Sequence, residues 1–145
     1  MADAIETMYQ RQKFNELLFI SDTCHAASMY AQINTPNVLA TSSSLTHEES
    51  YSLQVDQNIG VYVNDRYAYY VSEFLKNKVK NLESNSTMND FFKSCPTSKC
   101  LSTVGVRTDL YDKDINRVKV TDFFGSKRIF STFDEEMTID DEWFQ

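Results

Sequence analysis

The sequence predicts an α/β fold, a sheet with helices packed on it, and three observations carry the prediction. Leu17-Leu18-Phe19-Ile20 is an unbroken apolar run that ends in Ser21-Asp22-Thr23-Cys24 and passes at once into a helical pattern. A second apolar run, Val38 to Thr41, arrives after one short crossover, and a strand–helix–strand unit of this kind is parallel and right-handed. A long apolar stripe follows, with Val63, Tyr67, Tyr70, Val71, Phe74, Leu75 and Val79 spaced along one helix face.

Taken in chain order, Ala2 to Lys13 reads as a helix, with Ile5, Met8 and Tyr9 at i, i+3 and i+4 facing the sheet. Leu17 to Ser21 is a strand whose unbroken apolar character fits cover on both faces. Ala26 to Ile33 is a short helix that ends before Pro36, because the residue preceding a proline disfavours the helical region. Val38 to Thr41 is the next strand, and Ser42 to Asn58 is polar and reads as a loop leaving its carboxyl end. Gly60 to Lys80 carries the helical stripe. Met88 to Lys93 reads as a helical turn, Leu101 to Val106 as a strand, and Val118 to Phe124 as a short extended segment ending near Gly125.

The 145 residues fit one domain by length, and 41% apolar residues suffice for a core. The net charge of −7 is uneven. Residues 131–145 hold Asp134, Glu135, Glu136, Asp140, Asp141 and Glu142 with no Lys or Arg, so the body is close to neutral and the acidity belongs to a solvated, disordered tail. No basic patch with interleaved aromatics occurs, which argues against nucleic acid. No apolar run of about 18 residues is present for a membrane span, and no signal peptide is read at the start.

The cysteines divide into two kinds. Cys95-Pro96-Thr97-Ser98-Lys99-Cys100 is a short loop with a turn-forming Pro. In an oxidising lumen it is expected to close as a disulfide worth about 2 kcal/mol of loop entropy. A zinc site needs four well-spaced ligands, and His25 and His47 lie far from this pair in sequence. Asn85-Ser86-Thr87 is a glycosylation acceptor sequence in a polar setting. Cys24 differs: it stands where a buried strand ends and a helix begins, the edge at which open α/β sheets hold ligands. A helix N-terminus there lowers a thiol pKa and offers an N–H to an oxyanion. A buried structural cysteine is the plain alternative.

The surroundings of Cys24 bear on that choice. The chain reads Asp22-Thr23-Cys24-His25-Ala26-Ala27-Ser28-Met29-Tyr30, then Thr35-Pro36-Asn37-Val38-Leu39-Ala40-Thr41-Ser42-Ser43. Glu49-Ser50-Tyr51-Ser52, Asp56-Gln57-Asn58-Ile59-Gly60-Val61 and Asp65-Arg66-Tyr67 follow, and far downstream come Arg107-Thr108-Asp109-Leu110-Tyr111 and Val120-Thr121-Asp122-Phe123-Phe124-Gly125-Ser126. In order and spacing this series resembles the catalytic subunits of glycosylphosphatidylinositol (GPI)-anchor transamidases. Those belong to the legumain-like cysteine peptidases, related in fold to caspases. The resemblance runs from about Ala2 to about Ile129.

It implies a set of expectations. Residues 1–130 form the C-terminal portion of a caspase-like, mostly parallel sheet with flanking helices, and residues 131–145 the acidic tail. Cys24 is the nucleophile. Ser50, Ser52 and Asp65 line the pocket for the attachment-site side chain, although loop solvation accounts for the serines, and a helix N-cap or first-turn acid for Asp65, equally well. Arg66, Arg107 and Asp109 pair structurally. The family's base is a histidine in a His-Gly turn upstream of the Cys. Neither His25 nor His47 is followed by Gly, and His25 stands where the family usually has Gln.

The chain therefore reads as a part of the enzyme that is inactive by itself. Its function, by resemblance, is to cleave a C-terminal signal peptide from precursor proteins and transfer the new carboxyl end to a GPI anchor through a Cys thioester, without a cofactor or metal. The implied partners are the other subunits of the transamidase complex, the precursor proteins and the GPI glycolipid, and the implied site of action is the endoplasmic reticulum lumen. Two other readings stay open: a short copy that only binds partners in the complex, and a self-sufficient hydrolase using His25 or His47.

Overall fold

A computed structural model describes residues 1–125. The acidic stretch 131–145 and the expected domain end at residue 130 lie outside the described residues. Strands β1 (Leu17–Ser21) and β2 (Val38–Ser42) pair in parallel, with Leu17 opposite Val38 and Ser21 opposite Ser42. A third strand, β5 (Gly105–Arg107), adds antiparallel to β2, giving the order β1-β2-β5.

Side chains alternate between the two faces of this sheet, as the period-2 geometry of a strand requires. Val38 and Ala40 of β2, with Leu17 and Phe19 of β1, face a cluster holding Ile5, Ala27, Tyr30 and Ile33. Leu39 and Leu18 face the opposite cluster, built on Tyr67, Val71, Met88, Phe91 and Phe92. Helices cover both faces: α1 (Ala2–Gln10) on the first, and α2 (Arg66–Lys78), α3 (Met88–Phe92) and α4 (Thr97–Cys100) on the second. No helix of the described residues is long and apolar enough to cross a membrane.

Several elements depart from the sequence expectations, each for an identifiable reason. α1 stops at Gln10 rather than Lys13 because Gln12 turns left-handed (φ 53°). The N–H groups of Gln12 and Lys13 then fold back on the carbonyls of Tyr9 and Met8, at 2.8 and 2.9 Å, a Schellman termination. Strand β1 is only half-buried, and Ile20 is exposed, because among the described residues β1 pairs on one side alone.

The helix expected over Ala26–Ile33 is a five-residue 3-10 segment, Ala26–Tyr30. Its end is set from a distance: Arg107 Nη1 donates to the carbonyls of Tyr30 and Ile33 at 2.8 and 2.6 Å. The stretch expected to be loop and then helix contains a hairpin, β3 (Ser52–Val55) with β4 (Tyr62–Asp65). Asp56 starts its turn by accepting from the N–H groups of Asn58 and Ile59, and Gly60 supplies the positive φ of 69°. The β-branched and aromatic run Val61-Tyr62-Val63 then favours an extended strand. Val63 thus leaves the predicted stripe, whereas Tyr67 and Val71 are buried as expected. Leu101 caps α4 in the left-handed region (φ 63°), which delays the last strand to Gly105. Val120–Asp122 is a 3-10 turn rather than extended chain.

Candidate active site

Because β1 and β2 are parallel and in register, their carboxyl ends, Ser21 and Ser42, finish side by side. The chain leaving each end builds the site. Asp22-Thr23-Cys24-His25 leaves β1, and Ser43-Ser44 leaves β2. The serine run is not a solvated loop: Ser42, Ser43 and Ser44 are all 0% exposed. Buried hydroxyls need partners, and these find them in the backbone of the cysteine turn. Ser43 Oγ accepts from Thr23 N–H at 3.2 Å and donates to Thr23 C=O at 3.3 Å. Ser44 Oγ donates to the same carbonyl at 3.0 Å and accepts from Ala26 N–H at 3.1 Å. Ser42 Oγ meets Tyr30 Oη at 3.1 Å, and Ser102 Oγ donates to the Ser43 carbonyl at 2.6 Å.

Above this floor Cys24 is the free cysteine and is exposed. Its Sγ accepts from the Ser50 N–H at 3.4 Å. Among the described residues the Cys24 N–H donates to no partner. The expected α-helix N-terminus is absent, so the turn rests on hydrogen bonds to the serine run rather than on a helix macrodipole.

Of the predicted pocket residues Ser50 lies beside the thiol, and the hydroxyls of Ser50 and Ser52 each bond a carboxylate. Ser50 Oγ donates to Asp22 Oδ1 at 3.1 Å, and Ser52 Oγ donates to Asp65 Oδ1 at 2.9 Å. Asp65 occupies the N-cap position of α2 but its side chain does not cap. Asp22 takes that task, its Oδ2 accepting from Ala68 N–H in the first turn at 3.2 Å. Asp22 therefore joins the cysteine turn, the Ser50 loop and α2. Beneath, burial pushes the Tyr67 phenol up to about 12, with the Asp22 charge adding to the rise. At neutral pH Tyr67 stays uncharged and meets Thr41 Oγ1 at 3.3 Å.

The His25 side chain meets groups other than the thiol. It adopts the left-handed region (φ 56°), its N–H donates to Glu48 C=O at 2.8 Å, and its Nδ1 meets Thr46 C=O at 2.7 Å. Its Nε2 lies 3.6 Å from Glu49. His47 is exposed on the same loop. Glu48, assigned no role from sequence, fastens that loop: it accepts from the N–H groups of Thr103 and Leu45 and from the Thr103 hydroxyl, and these bonds hold its carboxyl below the usual range.

The remaining expectations fall elsewhere. Cys95 and Cys100 are joined by a disulfide with Cα atoms 5.6 Å apart, buried against the α2 side of the core. Asn85 is exposed between α2 and α3, and Thr87 caps α3 in a reciprocal box with Asp90. Arg107 forms a two-pronged pair with Asp109, and Arg66 donates to the Lys99 carbonyl at 3.1 Å. Among the described residues no group of three or more His, Cys, Asp or Glu side chains could hold a metal ion.

An exposed thiol on a buried hydrogen-bonded floor, with its own N–H unpaired, can attack a carbonyl and hold the resulting oxyanion. Several known proteins have similar sequences. The chain is 56% identical to a Caenorhabditis elegans protein provisionally named a GPI-anchor transamidase, over 99% of this chain and 45% of the relative. It is 52% identical to the human GPI-anchor transamidase over 88% of this chain and 32% of that one, and 48% identical to the mouse enzyme over 96% and 35%. The chain thus spans less than half the length of these relatives. The profile of the peptidase C13 family matches residues 1–126, and the chain belongs to that family.

Proposed function

We propose that this chain is part of a GPI-anchor transamidase and supplies its nucleophile, Cys24. The observation that carries the proposal is the placement of an exposed thiol and an unpaired N–H on one turn at the carboxyl ends of two parallel strands. The thiolate of Cys24 adds to the carbonyl at the attachment site of a precursor protein. The Cys24 N–H is one donor to the oxyanion so formed. Collapse breaks the amide C–N bond, the C-terminal signal peptide leaves with a proton on its new amine, and a thioester remains. The ethanolamine-phosphate amine of the GPI glycolipid then attacks the thioester carbonyl, loses a proton and expels the thiolate, which restores the enzyme. No cofactor enters this cycle.

The proton acceptor is assigned by resemblance to a histidine of a His-Gly turn in the complete protein. Ser50, Ser52 and Asp65 help line the attachment-site pocket, where two hydroxyls beside carboxylates favour a small side chain. The reaction takes place in the endoplasmic reticulum lumen, within a complex with the other transamidase subunits. Exposed Asn85 is the glycan acceptor.

The contact of His25 Nδ1 with the Thr46 carbonyl at 2.7 Å, and the placement of its Nε2 3.6 Å from Glu49, disfavour a self-sufficient hydrolase that uses it as base. The test is rescue of a transamidase-deficient cell by the complete protein, read as GPI-anchored protein on its surface. Cys24→Ala abolishes rescue, whereas His25→Gln leaves it nearly intact. Rescue by Cys24→Ala refutes the nucleophile assignment. Loss of rescue by His25→Gln at equal abundance refutes the assignment of the base. An interaction protein without chemistry predicts rescue by both variants.

A further inference from the structure

We propose that Ser43 and Ser44 are positioning residues that aim the Cys24 N–H at the oxyanion, an inference that rests on Cys24 being the nucleophile. The argument starts from the peptide plane between Thr23 and Cys24. A trans peptide is planar, and its C=O and N–H point in opposite directions. The Thr23 C=O and the Cys24 N–H are the two ends of that one plane. Ser43 Oγ and Ser44 Oγ both donate to the Thr23 C=O, at 3.3 and 3.0 Å. Both serines are fully buried, so the carbonyl points inward. The Cys24 N–H therefore points outward, to the exposed side of the turn that carries the thiol.

The clamp holds the turn at both ends. Ser43 Oγ also accepts from the Thr23 N–H, and Ser44 Oγ accepts from the Ala26 N–H, so the anchored residues bracket Cys24 and His25. The serines are themselves held. The Ser43 N–H donates to the Ser21 carbonyl at 3.0 Å, and the Ser43 carbonyl accepts from Ser102 Oγ at 2.6 Å. The Ser44 carbonyl accepts from the Ala27 N–H at 3.1 Å. Without the two hydroxyls the Thr23–Cys24 plane loses both donors to its carbonyl and can rotate, and a rotated plane turns the N–H away from the oxyanion while leaving the sulfur in place.

That consequence separates positioning from mere support of the fold. Acyl transfer needs the oxyanion donor, whereas alkylation of the sulfur by iodoacetamide does not. The complete protein, purified in its complex, is compared as wild type, Ser43→Ala/Ser44→Ala and Cys24→Ala, with a peptide bearing a small residue at the cleaved bond. The double variant is expected to lose about 100-fold in kcat, in keeping with the loss of one oxyanion donor, with KM nearly unchanged. Its Cys24 alkylation rate stays within about two-fold of wild type, because the thiol is not moved. Unchanged kcat overturns the proposal, and so does a fall in alkylation rate parallel to the fall in kcat, which marks general loosening of the turn. If the double variant does not accumulate, Ser43→Ala and Ser44→Ala alone each leave one hydroxyl on the carbonyl, and each is expected to lower kcat about 10-fold at unchanged alkylation rate; full kcat in both overturns the proposal. Turnover by Cys24→Ala refutes the nucleophile reading itself, whereas a dead Cys24→Ala beside a fully active double variant refutes only the positioning role.

Discussion

Gly105→Ala is a sharp test of how the floor of the site is packed. Gly105 begins β5 opposite Ser42, and its φ is ordinary, so an alanine meets no backbone strain there. The obstacle is space. A Cβ at Gly105 stands 2.6 Å from Tyr30 Oη, closer still to Ser42 Oγ, and 3.4 Å from Leu45 Cδ2. The two hydroxyls are bonded to each other at 3.1 Å and are buried, so neither can swing into solvent. Forcing a methyl into such a site costs about 1–3 kcal/mol, and parting the buried hydrogen bond adds about 1 kcal/mol. Lower entropy of the unfolded chain returns about 0.4–1 kcal/mol. The net expectation is destabilisation of about 2 kcal/mol, or a thermal midpoint lowered by about 4–8 °C. Thermal and urea unfolding of the purified protein measure it. Tyr30→Phe removes one of the two blocking oxygens, so in that background Gly105→Ala should cost about 1 kcal/mol less. A Gly105→Ala effect within about 0.5 kcal/mol, or one that Tyr30→Phe does not reduce, refutes the packing argument.

A carboxylate of the site loop and the disulfide each give a further outcome. Glu48 has its folded-state pKa lowered by the Thr103 and Leu45 N–H groups and the Thr103 hydroxyl, so its contribution to stability is complete above the unfolded glutamate value, about 4.3, and is lost as pH falls through the folded value. The stability gap between wild type and Glu48→Gln should therefore narrow on acidification, and a gap that acid unfolding curves show to be constant contradicts the assignment. Non-reducing peptide mapping of material from a secretory compartment should recover Cys95 linked to Cys100 and Cys24 alkylated, with Cys100→Ser lowering stability by about 2 kcal/mol; Cys95 and Cys100 both found alkylated contradicts it.

What the sequence could disclose was decided by whether a signal is local. Leu17–Ser21 and Val38–Thr41 are legible because a short, unbroken apolar run bounded by turn residues suits a buried strand and is too short for a buried helix. Tyr67 and Val71 are legible from spacing alone. The left-handed Gln12 and Leu101 carry no such mark, since neither is glycine. The Tyr62–Asp65 strand was hidden because Val63 also fits the phase of the helix that follows. Arg107 ends a 3-10 segment more than seventy positions earlier in the chain, and nothing local to either stretch announces it. The buried serines are the instructive case. A run of Ser after a strand reads as solvated loop unless its partners are known, and those partners are backbone groups of a turn about twenty positions away. The roles proposed for Cys24, Ser50, Ser52 and Asp65 rest on an ordered series of motifs, because the physics of each residue alone permits an ordinary structural role.

Asp22 shows how three of those motifs are held together in the fold. One of its oxygens accepts from Ser50 Oγ and the other from the Ala68 N–H. The first bond ties the cysteine turn to the loop that leads into β3, and the second ties it to the helix that follows β4. Ser50 answers from its own backbone, its N–H reaching Cys24 Sγ. One carboxylate thus holds the thiol, the hydroxyls proposed for the attachment-site pocket and the start of α2 in a common frame. The strand ends place these pieces near one another, but strand geometry alone leaves the Ser50 loop free to swing away from the sulfur. A carboxylate bonded to both sides removes that freedom. The short sequence Asp22-Thr23-Cys24 accordingly contains two separate devices, an acid that holds Ser50 beside the thiol and a carbonyl, that of Thr23, through which the buried serines are proposed to hold the plane of the Cys24 N–H.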